Sequence, residues 1–249
     1  MGLALADLYA KRIAETLATV IASEGEQVAK AAAMVRERRA QDGIVHVFGS
    51  GHSQSVAIDA TYRAASPAWV NGVLDPSLSV VRGAQSASAA EDIAENARPI
   101  FLQERPTAAD VTVVVCNSGT TPVSVAWAKA CADRGIPVIS IVSKLSLSYF
   151  SRLERPSLDS ISDVLIDNHC PVGDGIIQEE RDSAPRNINI GPSSTIVNVF
   201  ILHWVLVKAL EGMIERGEEV QTFRSGHLEG ASAQNAALME AYRGRIRVY

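Results

Sequence analysis

Cysteine is scarce in this chain of 249 residues: Cys116, Cys131 and Cys170 lie far apart, with no Cys-x-x-Cys pair. That spacing excludes a disulfide framework and a zinc ribbon and fits a reducing compartment. An excess of positive charge is missing too. A net charge of −5 argues against general affinity for nucleic acid or an anionic membrane. Long apolar runs are absent: the longest, residues 196–210, is interrupted by Asn198, His203 and Lys208, too short and too polar to span a bilayer. Asp7, Lys11 and Arg12 break the apolar positions near the amino terminus, so no signal peptide is expected there. The expectation is a cytoplasmic protein without nucleic-acid or membrane partners.

What is present centres on residues 111–122, Val-Thr-Val-Val-Val-Cys-Asn-Ser-Gly-Thr-Thr-Pro. Five apolar or β-branched residues suit a strand of a parallel sheet covered on both faces. The turn after such a strand is where open α/β sheets bind ligands. Asn117, Ser118, Thr120 and Thr121 can hydrogen-bond there, and Gly119 lets the backbone approach an anion. The amides that open the following helix carry partial positive charge. The loop reads as a phosphate cradle without a nucleotide, because the Walker lysine is missing.

Residues 3–20 and 24–39 show helical periodicity, and their outer faces suit either a subunit interface or packing on their own domain. A strand at 44–48 ends in Gly49-Ser50-Gly51-His52-Ser53. Gln54 stands where a dinucleotide fold needs its third glycine, so a second phosphate-type loop is the better reading. The alternative is a tight turn capped by Ser53. Further strands are expected at 68–73, 136–142 and 164–166. Residues 86–103 read as one helix on which Glu91 and Glu95 share a face. A loop with a short helix is expected at 144–160 and a polar surface excursion at 178–189. Gly191-Pro192-Ser193-Ser194 carries helix-start signals for a helix to about residue 215. Alternating strands and helices give a doubly wound, mostly parallel five-stranded α/β sheet. The division expected is a helical pair at 1–42, the sheet domain at 43–216 and an extension at 217–249.

Three loops, Gly49-Ser50-Gly51-His52-Ser53, Asn117-Ser118-Gly119-Thr120-Thr121 and Gly191-Pro192-Ser193-Ser194-Thr195, resemble the signatures of the sugar isomerase (SIS) domain. With the two leading helices and Leu74-Asp75-Pro76-Ser77-Leu78, the chain is most similar to the UPF0309 group of SIS proteins. The resemblance implies a flavodoxin-like sheet binding a phosphosugar, in a homodimer or dimer of dimers. It assigns the phosphate to Ser118, Thr120 and Thr121, with Gly49, Ser50, Gly51, Ser53, Asn117, Gly119, Ser193 and Ser194 around it. Cys116 stands where many members have serine, which removes one hydroxyl donor. Asn198 stands where phosphoheptose isomerases carry a catalytic histidine, which counts against that activity; His203, one turn on, is a substitute candidate.

Isomerisation and ether elimination share a first step, removal of a proton next to the carbonyl of an open-chain sugar. A glutamate lifted by desolvation can do this without a metal. Glu91 is the leading base on the resemblance, with a solvated surface carboxylate as the alternative and Glu95 weaker. His52 can open the sugar ring or donate to the carbonyl oxygen as a neutral imidazole, or merely hold its loop. Asx-turn duty suits Asp75 and Asp174. His169 with Asp167, Cys170 and Asp174 matches no metal spacing, so no metal or cofactor is expected. The expectation is an aldose–ketose sugar-phosphate isomerase; a lyase or etherase, or a non-catalytic sensor, are the alternatives.

Overall fold

The computed structural model describes residues 4–152, 155–179 and 188–249. Strands β1 (Val45–Gly49), β2 (Val70–Val73), β3 (Val111–Val115), β4 (Val138–Val142) and β5 (Val164–Asp167) form one sheet in the order β2-β1-β3-β4-β5. Every neighbouring pair is parallel. This is the flavodoxin-like doubly wound arrangement expected, and it switches direction between β1 and β3. β6 (Gly175–Glu179) and β7 (Ile188–Pro192) make a separate antiparallel pair. The helices are α1 (Leu5–Ser23), α2 (Gly25–Arg39), α3 (Gln54–Ala60), α4 (Ala84–Glu91), α5 (Ala97–Glu104), α6 (Pro122–Ala132), α7 (Lys144–Ser151), α8 (Ser194–Ile214) and α9 (Ala231–Tyr242).

The period-two alternation of a strand divides the core. Val111, Val113 and Val115 of β3 pack with Val45, Val47, Ile139 and Ile141 against α2, α3 and α8. Val114, Phe48, Val138 and Val142 face α5 and α6 on the other side. All five β3 residues are buried, as a strand covered on both faces must be. On the second face, Trp127 stacks on Phe48 with ring centroids 4.8 Å apart and donates its indole N–H to Thr112 Oγ1 at 3.0 Å. Such an aromatic pair adds about 0.5–1.5 kcal/mol beyond its buried area.

Four features differ from the sequence reading. The helix expected at 86–103 is two, α4 and α5, joined by a 3₁₀ turn at Ala94–Asn96. Pro99 explains the break: its ring clashes with the carbonyl four residues back, so it is tolerated only in the first turn of a new helix. Glu91 therefore ends α4 while Glu95 sits exposed in the turn, and the two share no helix face. The excursion at 178–189 begins and ends as strand, with residues 180–187 outside those described. Gly191 and Pro192 belong to β7, and α8 starts only at Ser194. At 21 residues α8 is long and apolar enough by composition to cross a bilayer, the one such helix among the described residues. It is a core helix, since Val197, Ile201, Leu202, Val205, Leu206 and Ala209 are buried.

α2 contributes Val28, Ala31, Ala32 and Val35 to the core. α1 is less covered: Val20 alone is buried, and Tyr9 donates to the Pro192 carbonyl of β7 at 2.8 Å.

Candidate functional site

The carboxyl ends of β1 and β3 open into one cavity of about 370 Å³. Gly49, the last residue of β1, has no room for a side chain: a Cβ there would lie 2.6 Å from the Ser53 carbonyl carbon and oxygen. Gly51 takes a positive φ of 57°, and a 3₁₀ turn at Gly51–Ser53 leads into α3. Ser53 makes no side-chain capping bond to α3 and is among the residues that line the cavity. Gln54, at the position of the missing third glycine, is buried and donates to the Asp75 carbonyl at 2.8 Å. Asp75 closes an Asx turn by accepting the Ser77 amide at 2.8 Å.

The second loop, residues 116–121, turns back on itself. The Gly119 amide donates to the Cys116 carbonyl at 3.0 Å, with φ 69° at Gly119. Ser118 Oγ accepts the Thr120 amide at 3.2 Å and lies 3.2 Å from Thr121 Oγ1. Cys116 Sγ is 3.3 Å from Thr121 Oγ1. The result is a knot of small donors at the start of α6, whose cap residue Thr121 leaves the first-turn amides without a side-chain partner. Asn168 fixes the loop from behind, donating to Asn117 Oδ1 at 2.9 Å and to Asn198 Oδ1 at 2.8 Å. Asn198 is thus buried in an amide chain tying α8 to the loop.

Of the residues singled out from sequence, Ser50, Gly51, His52, Ser53, Glu91, Asn117, Ser118, Thr121 and Ser194 line this cavity. Gly49, Gly119, Thr120 and Ser193 lie in the same loops without lining it. Glu91 Oε2 accepts a hydrogen bond from Ser50 Oγ at 2.8 Å, so its carboxylate is held over the first loop and not turned to solvent alone. His203 is elsewhere: its Nε2 lies 2.7 Å from Asp59 Oδ2, between α3 and α8. Among the described residues no cluster of ligating side chains is arranged for a metal. His169 instead contacts Glu24 at 3.3 Å and Asp167 at 3.6 Å.

Asp174, expected to serve an Asx turn, lines the cavity wall and caps a helix instead. Its Oδ1 accepts the Ser194 amide at 2.7 Å and the Ser193 amide and hydroxyl at 3.1 Å each. It caps α8 from twenty residues away and occupies the Ser193 and Ser194 amides, which are then not free for an anion. The lining contains two carboxylates, Glu91 and Asp174, and His52, but no lysine or arginine. Any anion bound there relies on hydroxyls, backbone amides and helix starts.

A SIS domain family model matches residues 8–143. A UPF0309 protein of Caldanaerobacter subterraneus subsp. tengcongensis is 30% identical over 244 residues, covering 97% of this chain and 98% of that protein. The chain belongs to the UPF0309 family of SIS-domain proteins. A UPF0309 protein of Geobacillus kaustophilus is 34% identical over 242 residues, covering 96% of this chain and 95% of its own length. Among solved structures, a phosphoheptose isomerase from Francisella tularensis aligns with a TM-score of 0.54 at 14% identity, over 82% of this chain and 95% of that one. At that identity the likeness shows the shared fold. In this UPF0309 protein the two loops framing the switch point are the ones that the SIS signatures marked.

Proposed function

We propose that this UPF0309 protein binds a sugar phosphate in the cavity between β1 and β3 and isomerises it by proton abstraction next to the carbonyl. One observation carries the reading: the Glu91 carboxylate lines the same cavity as the Ser118 and Thr121 hydroxyls. In this scheme the phosphate rests on Ser118, Thr121 and the first amides of α6, with Ser50, Gly51, Ser53 and Ser194 around the sugar. Glu91 takes the proton from the carbon next to the carbonyl, and the electron pair passes to the carbonyl oxygen as an enediolate. His52, on the exposed lip of the cavity, donates to that oxygen or assists ring opening. The proton on the adjacent hydroxyl oxygen passes to the former carbonyl oxygen, and Glu91 returns its own proton to the former carbonyl carbon, which completes the isomerisation.

The lyase reading shares the first step but needs an acid for a leaving group. Asp174 is the other carboxylate in the cavity, and its Oδ1 is already committed to three donors around the start of α8. That favours a single carboxylate moving a proton between adjacent carbons. Half-exposed apolar side chains on α1 and α8, including Ile21 at 54% and Val207 at 61%, support a homodimer as the working form, and the cysteine content supports a cytoplasmic setting. A thermal-shift screen of sugar phosphates against their unphosphorylated parents tests the proposal. Phosphate-dependent stabilisation by one sugar class is expected; no shift with any phosphosugar would overturn it.

A further inference from the structure

A second cavity of about 510 Å³ lies at the opposite end of the sheet, where the carboxyl-terminal segment crosses the amino ends of β1 to β3. Arg105, Arg243, Arg245 and Arg247 line it, in a chain whose net charge is −5. Two of these guanidiniums are anchored from inside. Arg245 Nη2 lies 2.5 Å from Oδ1 of the fully buried Asp110, and Arg247 Nη1 lies 3.6 Å from Oε1 of Glu104. Both carboxylates are themselves held. Asp110 also accepts the Ile44 and Thr107 amides, at 2.8 and 2.6 Å, with His46 Nε2 at 3.4 Å; Glu104 accepts Asn71 Nδ2 at 2.8 Å. Arg245 is therefore fixed in place before any ligand arrives, and a fixed donor loses less freedom on binding, whereas Arg247 is drawn toward Glu104 over a longer distance.

The other two are available. The Arg105 side chain has no hydrogen bond or ion pair among the described residues; its amide closes α5 on the Phe101 carbonyl at 3.0 Å, and its backbone sits at φ 50°, in the left-handed region that costs a non-glycine residue energy. Arg243 pairs only with Glu240, both well exposed, in a contact of the kind that contributes little. Thr107 also lines the cavity, with its hydroxyl donating to Asp110 Oδ2 at 3.0 Å. Planar forks match phosphate oxygens bidentately, and the cavity is larger than the one at the carboxyl ends of the strands.

We infer that this arginine-lined cavity is a binding site for a small multiply charged phosphate anion, separate from the sugar-phosphate cavity. Arg105 and Arg243 supply the mobile contacts, Arg245 the fixed one, and Arg247 a further charge beside it. The test uses calorimetric titration of the full chain with inorganic pyrophosphate, with sulfate at matched ionic strength as the control for screening. The variants are Arg105→Ala/Arg243→Ala, which leaves both buried ion pairs intact, and Ser118→Ala in the other cavity. The expected result is pyrophosphate binding that the double variant weakens about tenfold or more and that Ser118→Ala leaves unchanged. Equal binding by wild type and double variant, loss of binding in Ser118→Ala, or no preference for pyrophosphate over sulfate would overturn the inference.

Discussion

Replacing Ser118 by alanine separates a ligand-binding role from a structural one. In the free protein Ser118 Oγ accepts one amide, that of Thr120 at 3.2 Å, and shares a 3.2 Å contact with Thr121 Oγ1. The site is open to water on the cavity side, so losing these neutral bonds costs about 1 kcal/mol. For a chain of this size that lowers Tm by roughly 2–4 °C. A hydroxyl donating to a charged phosphate contributes more, about 1.5–3 kcal/mol. The dissociation constant for a sugar phosphate should therefore rise about 10- to 150-fold. Titration calorimetry with a sugar phosphate found in the thermal-shift screen measures the second effect, and differential scanning calorimetry the first. Affinity within about threefold of wild type, with Tm lowered as stated, would refute the placement of the phosphate. A fall in Tm of tens of degrees would refute the reading of Ser118 as a ligand contact instead of a strut.

Three other perturbations have defined outcomes. Gly49→Ala forces a Cβ to within 2.6 Å of Ser53 backbone atoms, whereas Gly25 at the start of α2 has nothing within 4 Å. The first should lose roughly 1–3 kcal/mol and weaken sugar-phosphate binding, while Gly25→Ala changes stability by less than about 1 kcal/mol; similar denaturation curves for the two would contradict this. Burial pushes the Cys131 and Cys170 thiols up to about 12, so a thiol reagent at neutral pH should label them only after unfolding, and quick native labelling of either would be contrary. Burial acts to raise the Asp110 carboxyl, but hydrogen bonds from His46 and from the Ile44 and Thr107 amides outweigh it and hold the group well below its usual 3.8. A depressed native value means stability that is complete above the unfolded value and lost as pH falls below it. Denaturant titrations from pH about 5 to about 2 should show a shallower decline in Asp110→Asn than in wild type, and equal slopes would exclude this source.

The fold was legible where pattern and chemistry agree locally. Val111 to Val115 announces a doubly covered strand, and the hydroxyl-rich turn after it marks the crevice. Glycines 49, 51 and 119 flag loops that their steric surroundings and φ values explain. Legibility failed where a local signal competed with another. Helical spacing runs across residues 86–103, and Pro99, the residue that marks the break between α4 and α5, lies within it. In the β6–β7 pair, Ile176 and Ile177 stand side by side without alternation, and Ile188-Asn189-Ile190 alternates over too few residues to read as a strand. Asp174 looks like a turn residue because its partners, Ser193 and Ser194, are distant in sequence. The position of His203 on α8 gives no hint that Asp59 of α3 faces it. The arginines of the second cavity are divided between residue 105 and the last few residues, so charge counting along the chain sees only a basic end.

In the proposed reaction Glu91 abstracts a proton from a sugar phosphate held by the loop at 116–121. The most direct measurement is proton NMR of the wild-type protein with a stabilising sugar phosphate in D2O, beside Glu91→Gln. Glutamine can still accept the Ser50 hydrogen bond, so folding and binding should persist. Deuterium should enter next to the carbonyl with wild type, at a rate about 10²- to 10⁴-fold lower in Glu91→Gln at unchanged affinity. Equal exchange in both proteins, or tight binding by wild type with no exchange at all, would contradict it.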